Sequence, residues 1–502
     1  MRPIDDSFAA LPLDAIADAA LTAAAAGAGA AEGGASWCDV RVQVMSERHV
    51  QLRDGSPEVT MTSRSAGIGI RVIADGAWGF AATSELTPDA AVACVVRAIG
   101  LARSTARLGG PAVELAPEPA HVGTWVSDYD CDPTEVGDGQ VLSRLAEWSG
   151  TCAGHPAVHH TAAAFSAAKE QLFYADSAGA RTRQQRVRCQ PEVTAIAVTD
   201  GGFEDMRTTL APRGAGWEYA LEPAWDAEVA GLGDHLAQRV AAPALEPGRY
   251  DLVIAPSNLW LTIHESVGHA TEYDRAVGFE ANYAGTSFAT PDGLGGLRYG
   301  SQLMHVTGDR TVPQGLSTVA WDHEGVAAGR WDLVREGVLV GYQLDRWGAA
   351  RLGAGASNGC AYADDAGHVQ IQRMPNVSLQ PAVGGGDLEA LVAGVTDGLL
   401  VVGDKSWSID MSRRNFQFTA QRFLRIRNGH LAGQVKDIAY QSDTLDFWAG
   451  LVALGGEQTY ELGGALNCGK GQPGQVAAVS HGCPAAVFSG VNVLRTASGE
   501  AS

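Results

Sequence analysis

The chain has 502 residues, 46% of them apolar, and 36 Lys and Arg against 57 Asp and Glu give a formal net charge of −21. That length exceeds one ordinary core and implies two or three domains, while a mean hydropathy of −0.03 marks a globular chain rather than a disordered one. So acidic a surface repels phosphate backbones and anionic lipid, so no nucleic-acid partner and no membrane are expected.

The first 35 residues read as an Ala-rich helix and linker. Asp14 and Asp18 interrupt the apolar run from Ala9 to Ala31, and Asp5 and Asp6 stand where a signal peptide would be basic. The expectation is a surface helix running into a Gly/Ala linker. Eight cysteines are too thinly spread for a disulfide scaffold, so a reducing, cytoplasmic home is expected.

A first α+β domain is placed at 36–115. Cys38, Val40, Val42 and Val44 alternate with polar residues as in a half-buried strand. Two alternating runs then flank Asp75-Gly76, a hairpin signal because both turn positions take positive φ. Thr87 and Pro88 open a helix with Val92, Val95, Val96 and Ile99 on one face. A second α+β domain is placed at 116–245. It starts with a helix bearing Leu142, Leu145 and Trp148, continues with strands near Leu172–Ala175, Gln185–Cys189 and Val193–Val198, and closes with a helix near Asp226–Val240.

The remainder, 246–502, reads as a β-rich domain with strands such as Val338–Leu344 and a hairpin turning at Asn428-Gly429. The Gly384-Gly385-Gly386-Asp387 loop lacks the lysine and βαβ setting of a phosphate loop, so Asp387 is taken as a helix cap. The fold class is α+β: two smaller amino-terminal α+β domains, then a β-rich carboxy-terminal domain carrying the one clear helix of chemical interest.

That helix follows the apolar strand Tyr250–Ala255, with Ser257 or Asn258 as its cap, and it carries His264-Glu265-Ser266-Val267-Gly268-His269. Two imidazoles and a carboxylate in one segment suit a hydrolytic zinc site. In an ordinary helix, residues i and i+4 lie about 40° apart, whereas i and i+5 lie about 140° apart. Both rings reach one metal only if an extra residue widens the turn, as in a π-bulge, and Gly268 tolerates such a distortion. The other reading is a buried helix whose histidines bond to nearby backbone. Two ligands are also fewer than the three protein ligands of a catalytic zinc.

The segment from His264 through Glu272, Tyr273 and Asp274 resembles the HExxxH helix of the TldD/TldE (PmbA) metallopeptidases, in their metal-bearing TldD form. Asn467-Cys468-Gly469-Lys470-Gly471-Gln472 is similar to the stretch that supplies a third, cysteine ligand. Asp322-His323-Glu324-Gly325, Gly341–Asp345, Arg373–Asn376 and the early hairpin Gly69–Phe80 fall in the family's order. The resemblance implies one Zn²⁺ per chain on His264, His269 and Cys468, with Glu265 as general base. Glu272 and Asp274 become candidates to orient a ligand imidazole. It further implies hydrolysis of short or unfolded peptides, in limited proteolysis or peptide maturation. The implied partner is a TldE/PmbA-like sister subunit or a second copy of the chain. Two alternatives remain: a non-catalytic scaffold subunit, or an amide hydrolase acting on a small modified metabolite. Ser480-His481-Gly482-Cys483-Pro484 departs from the family pattern, and His481 and Cys483 read as a satisfied histidine and a buried strand cysteine. His159, His160, His323 and His368 have no motif support.

Overall fold

The alternating run at Cys38 begins a 17-residue strand, β1 (Trp37–Arg53), in a computed structural model that describes residues 2–27, 34–472 and 474–496. It pairs antiparallel with β2 (Ser56–Ala74) on one edge and β5 (His160–Asp176) on the other. Asp75 and Gly76 both take positive φ and turn β2 into β3 (Ala77–Thr83), as the hairpin signal requires. With β4 (Val122–Val126), β6 (Arg181–Thr199) and β7 (Gly202–Arg207), these strands form one sheet in the order β3-β2-β1-β5-β6-β4, β7 lying on β6.

Two apolar cores form on that sheet. One joins Val40, Val42 and Val44 to the helices Leu13–Ala25 and Pro88–Ala106; the other joins Val50 and Leu52 to the helices Asp138–Ala153 and Pro223–Ala241. The strands of both amino-terminal segments therefore meet in a common sheet while each end keeps its own helical cover. The amino-terminal helix is not a solvated one. Ile16, Ala17, Ala20 and Ala24 are buried against the first core, and the Gly/Ala linker falls partly in 28–33, outside the described residues. Thr87 caps its helix by accepting from Ala90 N–H, but Val96 faces solvent and Cys94 and Ala98 take the buried face. Small side chains allow the closer approach to the sheet.

The carboxy-terminal part is β-rich, so the chain as a whole is α+β. Five strands close on themselves: Gly248–Ile254 pairs with Ala486–Arg495, then Ile438–Asp443, Asn415–Arg427 and Asp397–Ile409, which returns to pair with Gly248–Ile254. Closure removes open edges at the centre of this region. Phe416, Phe418, Tyr440, Phe447 and Phe488 pack ring on ring in its core. Asn428 and Gly429 take the positive φ of the expected hairpin, and Asp387 Oδ1 caps its helix on Ala390 N–H. The Val338–Leu344 run is strand only at Val338–Leu339. Gln343 instead donates to Gly268 O and Thr271 Oγ1, bracing the helix that carries the candidate site.

Candidate metal centre

The strand Gly248–Ile254 feeds directly into the helix Pro256–Ile263. Proline opens this helix, and neither Ser257 nor Asn258 caps it. Asn258 instead donates to Gly403 O and Thr419 O, pinning the helix to two barrel strands. From His264 to Gly268 the winding widens to a π-helix, then tightens to a 3₁₀ turn at His269–Thr271. This is the extra residue that i, i+5 spacing calls for. Gly268 sits against Met374: a Cβ there would lie 2.7 Å from Met374 Sδ.

Cys468 comes from the hairpin Glu461–Lys470/Gln475–Cys483, where the register shifts between Ala465 and Cys468. A bulge of this kind re-aims a side chain. Cys468 Sγ lies 3.4 Å from His264 Nε2 and 3.6 Å from His269 Nε2, and all three residues are buried. Zinc–nitrogen bonds of about 2.0–2.1 Å and a zinc–sulfur bond of about 2.3 Å at tetrahedral angles place N and S about 3.5 Å apart. The donor set therefore fits one Zn²⁺.

Each imidazole is held through its other nitrogen. His264 Nδ1 lies 2.8 Å from His481 Nε2, and His269 Nδ1 donates to Glu272 Oε2 at 2.9 Å. Glu272 also accepts from Arg275 Nε at 2.9 Å and pairs with Lys470 at 3.2 Å. Burial raises its pKa, but Lys470, Arg275 and His269 outweigh that and hold it well below the ordinary carboxylate range. Burial lowers the pKa of both His264 and His269, which favours the neutral form, the one able to coordinate a metal. Burial acts to raise Cys468, yet Arg373 and His269 prevail and lower it towards thiolate.

Glu265 accepts from Arg413 Nη1 at 2.9 Å, and with the three donors it lines a cavity of about 950 Å³. The cavity is lined by residues of β1, β5 and β6 together with the Cys468 hairpin. Of the two residues considered for orienting an imidazole, Glu272 reaches His269. Asp274 instead accepts from Lys470 Nζ at 2.7 Å, so it stands one residue further out. Sequence reasoning left out His481 and Arg413, which touch His264 and Glu265. A histidine in a strand and an arginine in a turn carry no local pattern. Cys483 lies elsewhere, with its thiol towards Pro256 O. His323 meets Glu170, and His368 meets Asp364. A second acidic group, Asp5, Asp132 and Glu135, already surrounds a cation, since Lys169 Nζ lies within 2.6–2.8 Å of each.

A closed barrel presents a buried pair of histidines and a cysteine beside a glutamate, a group able to hold a metal ion. Residues 247–495 match the profile of the PmbA/TldA metallopeptidase C-terminal domain, and residues 38–102 match that of domain 1. The chain belongs to the PmbA/TldD family. A metalloprotease of Methanothermobacter thermautotrophicus is 26% identical to it, over 89% of this chain and 93% of that one. The zinc metalloprotease TldD homolog of Saccharolobus solfataricus is 22% identical over 83% and 88%. The crystal structure of TldE from Thermococcus kodakarensis has the same fold, with a TM-score of 0.68 at 15% identity over 91% and 96%.

Proposed function

We propose that the chain is a zinc-dependent metallopeptidase of the TldD type, acting on short or unfolded peptides in the cytoplasm beside a TldE/PmbA-like sister subunit. The observation that carries this reading is the convergence of His264 Nε2, His269 Nε2 and the Cys468 thiol, 3.4 and 3.6 Å apart, next to Glu265 at the wall of a large cleft. Three protein ligands leave a coordination position open, the arrangement of catalytic rather than structural zinc. Bound zinc supplies a Lewis acid for a peptide carbonyl and lowers the pKa of water. Glu265 takes the proton from the attacking water and returns it to the leaving amine. Arg413 keeps the Glu265 carboxylate pointed into the cleft. Eight free cysteines accord with a reducing compartment.

The test is metal content by plasma mass spectrometry, with hydrolysis of a peptide library in the presence of the sister subunit. About one zinc per chain in wild type, and markedly less in Cys468→Ser, is expected. Glu265→Ala should keep its zinc and lose hydrolysis. Equal zinc in wild type and Cys468→Ser would remove Cys468 from the site, and unchanged hydrolysis in Glu265→Ala would remove the general base.

A further inference from the structure

We infer that His481 is a positioning residue for His264, fixing which of its two ring nitrogens faces the cleft. This rests on the metal-site reading above and adds to it a residue outside the ligand set.

The argument runs outward from a carbonyl, which only accepts. Val377 O lies 2.9 Å from His481 Nδ1, so that nitrogen carries a proton and donates it. His481 is fully buried, with Val377 O and the His264 ring as its polar contacts and the Trp260 ring stacked over it at 6.2 Å and 12°. With an imidazole and a neutral carbonyl as those partners, the ring holds one proton and its Nε2 accepts. The atom 2.8 Å away is His264 Nδ1, which must be the donor. His264 Nε2 is then bare, and it is the atom that faces Cys468 Sγ. One carbonyl thus sets the tautomer of two histidines in series.

Packing fixes the geometry of this relay. His481 pairs with Gly463 across the Cys468 hairpin, and Gly463 has Trp260 directly against it. The two outer supports of the centre differ in kind. His269 leans on a charged carboxylate, and His264 leans on a neutral ring. A single residue out of register at 481 would place the side chain on the other face of the hairpin.

The experiment measures zinc dissociation constants by competition with a chromogenic chelator for wild type, His481→Phe and His481→Gln. Phenylalanine keeps the stacked ring but has no acceptor; glutamine can accept from His264 and donate to Val377. Affinity should fall roughly 10- to 100-fold in His481→Phe and be largely restored in His481→Gln. Unchanged affinity in His481→Phe, or equal loss in both variants, overturns the inference. Failure of wild type to bind zinc would instead overturn the metal-site reading. Nitrogen-15 spectra of histidine-labelled, zinc-free wild type give a check independent of any variant. His264 should carry its proton on Nδ1, and a proton on Nε2 refutes the relay.

Discussion

Two glycines of the Cys468 strand, Gly463 and Gly469, provide a controlled perturbation of the site. Neither takes a positive φ, so alanine fits the backbone at both. In a strand interior, alanine in place of glycine gains about 0.5–1 kcal/mol through chain entropy. At Gly469 a Cβ meets nothing within 4 Å, so Gly469→Ala should show that gain. At Gly463 the same atom would lie 2.2 Å from Trp260 Cγ and 2.3 Å from Trp260 Cβ. Carbon atoms pack at about 3.5–4.0 Å, and Trp260 cannot yield at a flexible tip because the clash reaches its Cβ. Overpacking costs about 1–3 kcal/mol, so Gly463→Ala should be destabilised by roughly 1–2 kcal/mol after the entropy gain. Trp260 sits one turn before His264 and stacks on His481, so zinc affinity should fall as well. Urea unfolding followed by tryptophan fluorescence should move the midpoint down for Gly463→Ala and up for Gly469→Ala. Equal midpoints, or a stabilised Gly463→Ala, would refute the close approach of the hairpin to the metal helix.

Removing Arg413, as in Arg413→Met, should lower hydrolysis roughly 10- to 100-fold with zinc content unchanged, because Glu265 loses the partner that aims it. Glu272→Gln should destabilise the fold by about 3 kcal/mol in denaturation experiments, since Arg275 is left as a buried cation facing a neutral amide while Lys470 keeps only Asp274 as a carboxylate partner. It should also weaken zinc binding measured by chelator competition. His323 supplies a pH test: burial, with Arg41 and Arg186 adding to it against Glu170, pushes its pKa down to about 4. The unfolded chain takes up this proton near pH 6.5 and the folded chain does not until about pH 4. Stability from this group is therefore present above pH 6.5 and lost as pH falls, by about 3 kcal/mol over the window. Wild type minus His323→Gln, followed by urea midpoints from pH 7 to 4, should show that slope; a flat difference refutes it.

The parts of the fold legible in the sequence are those set by near neighbours. Asp75-Gly76 and Asn428-Gly429 turn where local φ preferences require, and the Thr87-Pro88 pair starts its helix. The i, i+5 histidine spacing demanded a widened turn, and a π-helix occupies His264–Gly268. Pairings between distant segments were not legible. Nothing in the spacing of β1 says that its second neighbour is β5, and Val338–Leu344 alternates like a strand although Gln343 turns to bond Gly268 O and Thr271 Oγ1. His481 shows the same limit more sharply. Reading it as a buried, satisfied histidine described it well, but its satisfying partner is His264. Asp274 sits two residues from Glu272, yet the short helix that starts at Tyr273 turns it towards Lys470 rather than an imidazole.

The long pairing of β1 with β5 has a bearing on how the nascent chain must behave. Fifteen residue pairs join them, Asp39↔Asp176 through Arg53↔Ala162, and more than a hundred residues of chain separate the two strands. At roughly 5–20 residues per second, β1 leaves the ribosome about 6–25 s before its partner is complete. During that interval its edge is open to pairing with any other chain. Asp39, Arg41 and Gln43, buried in the finished protein against Arg71, His368 O and Ala363 O, are still in water at that stage. Charges placed on a face that ends up dry keep the waiting strand hydrated until its neighbours have been made.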